Sequence, residues 1–160
     1  MKIILILSTL FYFTNSSAQS KPAMEFVEIN YGMIKGNREK TEAFKNSPTG
    51  DRGLLADFVF IKITDSVPAV LKNNFGVEYM IRTADSTGIA VTIEWIYPDK
   101  IINGDGKKFK SIKYTTERYT NEPTFSSYSL DEPYEVVKGP WKMSIYAYNK
   151  LLYSKTFILY

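Results

Sequence analysis

The sequence predicts an all-β fold, an antiparallel β-sandwich of about eight short strands. Apolar and polar residues alternate with period two along much of the chain, which places successive side chains on opposite faces of a sheet. Turn-forming residues separate these segments, and no long segment shows the period of an amphipathic helix. These observations favour a sandwich over an alternating α/β architecture, and a β-barrel is the other fold that they allow.

The first half of the chain contains two contrasting strand patterns. Residues 27–33 alternate and predict a first strand that ends near Gly36. Residues 37–53 are rich in charged and turn-forming residues, which predicts a loop with at most a short helix at 39–45. Residues 54–63 form an almost continuous apolar run, which predicts a strand in the core with protein on both faces.

The second half of the chain contains the clearest alternation. The strands predicted there are residues 75–82, 89–97, 109–119, 124–130, 141–148 and 151–159. The turn at 85–88 indicates that the first two of these strands pair as an antiparallel hairpin. The turn at Asn149 and Lys150 indicates a second hairpin at the end of the chain.

Residues 1–18 have the features of a cleavable signal peptide. Lys2 supplies a positive charge, residues 3–13 are apolar, and small residues lead to a cleavage site expected after Ala18, with Ser20 as the alternative end of the cleaved segment. Cleavage would leave residues 19–160 as a single domain in the periplasm or the external medium.

An uncleaved membrane anchor is the alternative interpretation of this segment. As a helix, the apolar run would be about 16 Å long, against a hydrocarbon core of about 30 Å. No later segment of the sequence is apolar enough to span a bilayer. We therefore expect no stable membrane insertion after cleavage.

The composition excludes most enzyme classes. The chain has no histidine and no cysteine, which removes the commonest general base, thiol nucleophiles and Cys/His zinc sites. A Ser-His-Asp triad is impossible, and the sequence contains neither a Gly-x-Ser-x-Gly elbow nor a phosphate-binding Gly-rich loop. We expect a protein without catalytic activity, without a cofactor and without disulfides.

Paired carboxylates are the catalytic option that remains, because a glycosidase needs only an acid and a base or nucleophile across a cleft. The possible members are Asp57, Glu78, Glu94 and Asp99. Alternation alone predicts that Glu78 and Glu94 are the solvent-facing residues of their strands, and this interpretation is favoured.

The loop after residue 98 combines oxygen ligands with lysines. Asp99, Asn103 and Asp105 are weak candidates for calcium ligands, but their spacing does not reproduce a known calcium loop, so a tight turn is favoured. The basic cluster is Lys107, Lys108 and Lys110. A formal net charge of +3, or +2 without Lys2, and interleaved charges elsewhere predict no nucleic-acid binding.

Tyrosines in the second half of the chain are the best indication of a ligand. Tyr146 and Tyr148 alternate with the apolar residues of their strand, so they are expected to point outward. Outward rings can stack on sugars or contact a protein, although strands favour tyrosine without any ligand.

Short motifs resemble those of an exported bacterial family catalogued as domain of unknown function 3859. They are Tyr31-Gly32, Phe75-Gly76-Val77, Gly139-Pro140-Trp141 and the strand from Leu151 to Ile158. The resemblance covers nearly the whole mature chain. It implies an export signal followed by an immunoglobulin-like sandwich, it carries over no catalytic residue, and the activity of the family is itself unassigned.

Three functions remain open at this point. The first is a non-enzymatic extracytoplasmic domain that binds an unknown protein partner. The second is a carbohydrate-binding module that uses Tyr146 and Tyr148 to hold a glycan. The third is a carboxylate-dependent hydrolase, which the missing side chains make the least favoured.

Overall fold

The computed structural model describes residues 23–160, with the side chains of residues 38–40 excepted. The predicted signal peptide, residues 1–18, therefore lies outside the described residues. The strands are β1 (Glu25–Ala43), β2 (Asp51–Lys62), β3 (Ser66–Val67), β4 (Asn74–Arg82), β5 (Gly88–Ile102), β6 (Lys108–Tyr119), β7 (Thr124–Ser129), β8 (Gly139–Ala147) and β9 (Lys150–Leu159). A short 3-10 helix, Pro133–Glu135, precedes β8.

The strands form two sheets, which confirms the predicted all-β sandwich. The four-stranded sheet has the order β2-β1-β4-β7, and the five-stranded sheet has the order β3-β9-β8-β5-β6. All neighbours are antiparallel except β3 and β9, whose two-residue pairing is parallel. Within residues 23–160, no helix is long and apolar enough to cross a membrane.

The core lies between the two sheets and is rich in aromatic rings. β5 buries Val91, Ile93 and Trp95 on one face, as its alternation predicts. Phe75 of β4 makes an edge-on contact with Trp95, with ring centroids 5.5 Å apart, and another with Trp141 at 5.8 Å. Such edge-to-face pairs stabilise a core by roughly 0.5–1.5 kcal/mol beyond the area that they bury.

The final hairpin is confirmed, and its turn lies one residue earlier than predicted. β8 pairs with β9 along its length, from Gly139 opposite Leu159 to Ala147 opposite Lys150. The two connecting residues, Tyr148 and Asn149, both have positive φ, at 48° and 62°. Two successive positive values are typical of the tight turn that matches the twist of a hairpin.

The other predicted hairpin is wrong, because β4 and β5 belong to different sheets. β4 pairs with β1 and β7, whereas β5 pairs with β6 and β8. Residues 83–87 therefore connect one sheet to the other. Alternation shows that each strand buries one face, but it does not specify whether the two strands lie side by side or face to face.

The predicted loop at residues 37–53 is also wrong, because most of it is strand. β1 continues to Ala43 and pairs with β2 from Met33 opposite Lys62 to Ala43 opposite Asp51. The register shifts three times along this ribbon, which bends it away from a flat sheet. We call residues 37–58 the arm. Charged residues are accommodated there because a two-stranded ribbon leaves many side chains in water.

The apolar run at residues 54–63 does not lie in the core, contrary to the prediction. Val59 is 55% exposed and Ile61 is 56% exposed. β2 is the outermost strand of its sheet, so one edge has no neighbouring strand in the described part of the chain. A continuous apolar run is typical of a doubly covered strand, but only the tertiary arrangement decides whether a cover exists.

Candidate functional site

A cavity of about 270 Å³ lies between the edge strands β6 and β7, beside the arm. Its walls are residues 51–55 of the arm, alternate residues 112–118 of β6 and all of β7, together with Ser47, Thr49, Trp95, Asp131 and Glu135. The β6 wall extends over about 20 Å, at roughly 3.3 Å per residue. The cavity is therefore a slot that runs along two strands.

Contacts near the tip of the arm hold it against the sandwich. The rings of Phe44 and Tyr114 meet edge-on with centroids 6.1 Å apart. The guanidinium of Arg52 lies 5.0 Å from the centre of the Tyr114 ring. The carbonyl of Pro48 accepts hydrogen bonds from Asn103 Nδ2 at 3.2 Å and from the Tyr134 hydroxyl at 3.3 Å. Tyr114 is thus the main contact of the arm on β6.

The outer edge of β7 forms one side of the slot. β7 is the last strand of its sheet, and no strand of residues 23–160 pairs with its outer edge. The Leu130 N–H donates to the Asn73 carbonyl at 3.0 Å, so Leu130 faces β4. Because backbone groups alternate between the two edges of a strand, those of Phe125, Ser127 and Ser129 face outward.

This edge lacks the usual protection. In many proteins, charged side chains, proline or bulges prevent a free strand edge from pairing with another chain. β7 has the sequence Thr-Phe-Ser-Ser-Tyr-Ser, with no charge and no proline, whereas β6 carries charges along its length. The arm lies nearby instead, and the rings of Phe58 and Phe125 approach to 3.9 Å between centroids. The arm therefore contacts the Phe125 side chain, while the outward backbone groups of β7 pair with no strand of residues 23–160.

Two buried N–H groups in the walls of the slot lack partners. Trp95 Nε1 and Arg118 Nε are both buried, and neither has a hydrogen-bond partner among the residues that the structure describes. A buried N–H without a partner costs about 1–3 kcal/mol, so native proteins rarely leave one. Both residues also line the slot, and both nitrogens are closed to solvent.

The carboxylates at the slot already have donors. Glu135 Oε1 accepts from the Tyr128 hydroxyl at 2.7 Å, and Oε2 accepts from the N–H groups of Asp131 and Glu132 at 3.0 Å each. Asp51 Oδ1 accepts from the Thr49 hydroxyl at 2.9 Å. Burial raises the pKa of Glu135 above its usual value, although these hydrogen bonds oppose the shift.

Phenols in the walls stay protonated at neutral pH. Burial raises the pKa of Tyr114 to about 12. Burial also raises the pKa of Tyr128 well above its usual value, and the neighbouring Tyr97 and Glu135 reinforce this shift. Both side chains are therefore neutral hydroxyls that can hydrogen-bond.

The predicted tyrosines lie away from the slot. Tyr146 is on the outer face of the five-stranded sheet, where its hydroxyl donates to Glu94 at 3.1 Å. The ammonium of Lys113 lies 5.1 Å from the centre of the same ring. Tyr148 is in the β8–β9 turn and is 44% exposed. Whether they bind a glycan stays a prediction.

The other residues singled out from the sequence are dispersed. Asp57 is an exposed residue of β2 with a φ of +49°. Glu78 of β4 accepts from Asn30 Nδ2 at 3.0 Å. Asp99 accepts from the N–H of Lys100. Among the described residues, no group of three or more potential ligands could hold a metal ion.

The tight turn at residues 103–107 is built by Asn103. Its Oδ1 accepts from the N–H groups of Asp105 and Lys107, at 3.1 Å and 2.9 Å. The backbone of the turn closes with the Asn103 N–H donating to the Lys107 carbonyl at 3.0 Å. The same side chain holds the arm through Pro48, so Asn103 has a clear structural role.

The sequence pattern does not indicate the slot residues Trp95, Arg52 and Arg118. Trp95 fits the core pattern of β5, and the two arginines lie 66 positions apart in the sequence. One signal was visible: β7 is a strand-forming segment without a charge, which is unusual for an edge.

Comparisons with known proteins agree with this fold. An immunoglobulin-like protein from Pseudomonas aeruginosa, known from a crystal structure, is similar with a TM-score of 0.61 and 21% sequence identity. The similarity covers 90% of this chain and 100% of that chain. No curated protein matches the chain. A model of the family described as domain of unknown function (DUF3859) matches residues 23–159. The chain therefore belongs to the DUF3859 family and has an immunoglobulin-like β-sandwich fold.

Proposed function

We propose that this protein is a non-enzymatic, extracytoplasmic binding domain whose ligand occupies the slot between β6 and β7. The observation that carries the proposal is the pair of unpartnered N–H groups, of Trp95 and Arg118, in the walls of a cavity beside an unpaired strand edge. Both nitrogens are closed to solvent, so a ligand acceptor that reached them by displacing neighbouring atoms would remove the cost of leaving these donors unsatisfied. The lack of histidine and cysteine supports binding over catalysis.

Ligand binding can be tested by thermal unfolding of the exported protein in the presence of peptides, organic acids, glycans and calcium. A ligand at a hundred times its dissociation constant adds about 2.7 kcal/mol, which raises the unfolding midpoint by roughly 5–10 °C at this size. Such a shift is the expected result for at least one class of ligand. A panel without any shift contradicts the proposal.

Two tryptophan substitutions locate the binding site. Leu55 is half-buried in the wall of the slot, so Leu55→Trp should fill the slot and abolish the shift. Val59 lies on the same strand and is 55% exposed, so Val59→Trp should leave the shift intact. A shift that survives in Leu55→Trp places the ligand elsewhere. If that ligand is a glycan, replacing Tyr146 and Tyr148 with alanine tests the outer face.

Export rests on the pattern of residues 1–18 and is tested by mass spectrometry. Expression of the full chain in a bacterial host should yield a product that begins at Gln19 in the periplasm or the medium. Replacing Ile6 and Leu7 with arginine breaks the apolar segment and should retain the whole chain in the cytoplasm. Cytoplasmic, uncleaved product from the unaltered chain contradicts this part of the proposal.

A further inference from the structure

We propose, on the basis of the function proposed above, that the ligand is an extended peptide that adds to β7 as an extra strand, with a carboxylate at Arg118. Addition to a free edge is a common way for sheets to bind peptides, because backbone groups provide affinity and neighbouring pockets provide selectivity. The slot offers the edge, the length, the donors and the charge that this mode requires.

The edge and the length favour a strand over a compact molecule. The outward backbone groups of Phe125, Ser127 and Ser129 recur at a spacing of about 6.6 Å, and another extended backbone can satisfy all of them in one continuous ladder. All six residues of β7 line the slot. A peptide of about four to six residues matches this length.

The N–H groups of Trp95 and Arg118 require acceptors on the ligand, such as carbonyl or carboxylate oxygens. An indole nitrogen can only donate, and a guanidinium can only donate, so neither Trp95 nor Arg118 can be satisfied by a donor on the ligand. Trp95 is the neighbour of Ile112 in the β5–β6 register, whereas Arg118 lies six residues further along β6. One small group cannot reach both ends, but an extended peptide supplies a carbonyl oxygen at every residue.

Arg118 is the charge that selects the peptide. Its Nη1 donates to the Thr116 hydroxyl at 3.2 Å and to the Glu117 carbonyl at 3.1 Å, and Nε is left over. No carboxylate with a described side chain forms an ion pair with it, whereas Arg52 already pairs with Glu42 at 3.0 Å. Arginine binds carboxylates through its planar fork, so an acidic side chain or a C-terminal carboxylate fits here.

Binding can be followed through Trp95 itself. The chain has two tryptophans, so Trp141→Phe leaves Trp95 as its only tryptophan. Trp141 lies in the core and donates its indole N–H to the Val137 carbonyl at 2.7 Å. Hexapeptide pools are passed over the immobilised protein, and retained sequences are resynthesised and titrated. One pool has free C-termini, and the matched pool is amidated and contains no Asp or Glu.

The expected result is retention from the free-acid pool and binding that changes Trp95 emission. Arg118→Gln should weaken that binding at least tenfold, whereas Arg82→Gln, on an exposed side chain, should not change it. N-methylation of alternate residues in a retained peptide removes the N–H groups that would pair with β7. Methylation of the residues whose N–H groups face β7 should reduce binding at least tenfold, and methylation of the residues between them should have little effect.

Three outcomes overturn the inference. The first is that no peptide of either pool is retained above the level that the Leu55→Trp variant retains. The second is that the amidated pool without acids binds equally well. The third is that N-methylation has no effect at either set of alternate residues. In the last case the slot would bind by side chains alone. If small molecules still raise the unfolding midpoint and Leu55→Trp abolishes that shift, the proposed function survives while the peptide inference fails. If Leu55→Trp leaves the shift unchanged, both fail.

Discussion

Glu135 is a buried acid: it is 2% exposed and accepts three hydrogen bonds, from Tyr128, Asp131 and Glu132. Burial raises its pKa above the usual value of 4.5. In the window between the usual and the raised pKa, the folded state holds the proton that the unfolded state releases. The contribution of this proton to the stability of the folded state is therefore complete below about pH 4.5 and is lost as the pH rises through the raised pKa.

We predict that Glu135→Gln removes this pH dependence. The unfolding free energy of the protein minus that of the variant should decrease as the pH rises from about 4 to 7, by about 1.4 kcal/mol for each unit by which the pKa is raised. Urea unfolding at several pH values measures this difference. A difference that increases with pH would show that the hydrogen bonds, rather than burial, dominate the pKa.

Gly32 has a backbone conformation that other residues avoid. Its φ is +130°, and a Cβ at this position would lie 2.1 Å from the carbonyl oxygen of Lys62 and 2.8 Å from the nitrogen of Thr64. Gly76 is similarly crowded, since a Cβ there would lie 2.3 Å from the Ser126 carbonyl oxygen. Both glycines belong to motifs that resemble the family, and the close approach of backbones explains why glycine stands there.

We predict that Gly32→Ala destabilises the domain by at least about 2 kcal/mol, because strain and the clash with β2 act together. Gly104→Ala is the matched control, because nothing lies within 4 Å of a Cβ at that position. Its effect should stay within about 0.5 kcal/mol. Thermal or urea unfolding measures both, and equal effects would contradict the argument from close approach.

The arm is an element whose attachment depends on few contacts. Tyr114 provides the edge-on contact with Phe44 and the ring beneath Arg52. Each contact contributes roughly 0.5–1.5 kcal/mol, so their loss should open the arm locally without unfolding the sandwich. The slot would then lose one wall, which links the attachment of the arm to ligand binding.

We predict that Tyr114→Ala accelerates hydrogen exchange at the tip of the arm by about tenfold or more. The amides to observe are those of Ser47 and Gly50, which donate to the carbonyls of Phe44 and Ser47 within the tip. Amides of the central strand β5 should keep their protection. Tyr119→Ala is the control, because this tyrosine is on the same strand and is 59% exposed. Uniform acceleration over all strands would mean that Tyr114 supports the whole fold instead.

At the scale of the whole molecule, residues 23–160 form one core, between the two sheets, and β2 lies outside it. This arrangement predicts opposite outcomes for the same substitution on two strands. Ile93 is completely buried, so Ile93→Thr should cost about 2–4 kcal/mol through lost packing and a buried hydroxyl. Ile61 is 56% exposed, so Ile61→Thr should change the unfolding free energy by less than about 0.5 kcal/mol. Urea unfolding compares them, and a large cost at Ile61 would show that β2 is covered in solution.

Local patterns were enough to predict several elements. The alternation of β4, β5 and β8 places the right residues in the core, because the period of a strand depends on the backbone alone. The final hairpin follows from its two-residue turn, since a short loop leaves the chain no other antiparallel partner. These features depend on residues that are close together in the sequence.

By itself, the sequence determined an all-β sandwich, the core faces of most strands, the last hairpin and the absence of histidine and thiol chemistry. Only the tertiary structure decided that β4 and β5 lie in different sheets, that the charged segment 37–53 belongs mostly to an arm, and that an apolar strand lies outside the core. Strand pairing joins residues far apart in the sequence, and an alternating strand can satisfy its buried face against several partners. The slot also depends on residues that are far apart in the sequence, because Trp95, Arg118 and β7 meet only after both sheets have formed and the arm lies beside their edges.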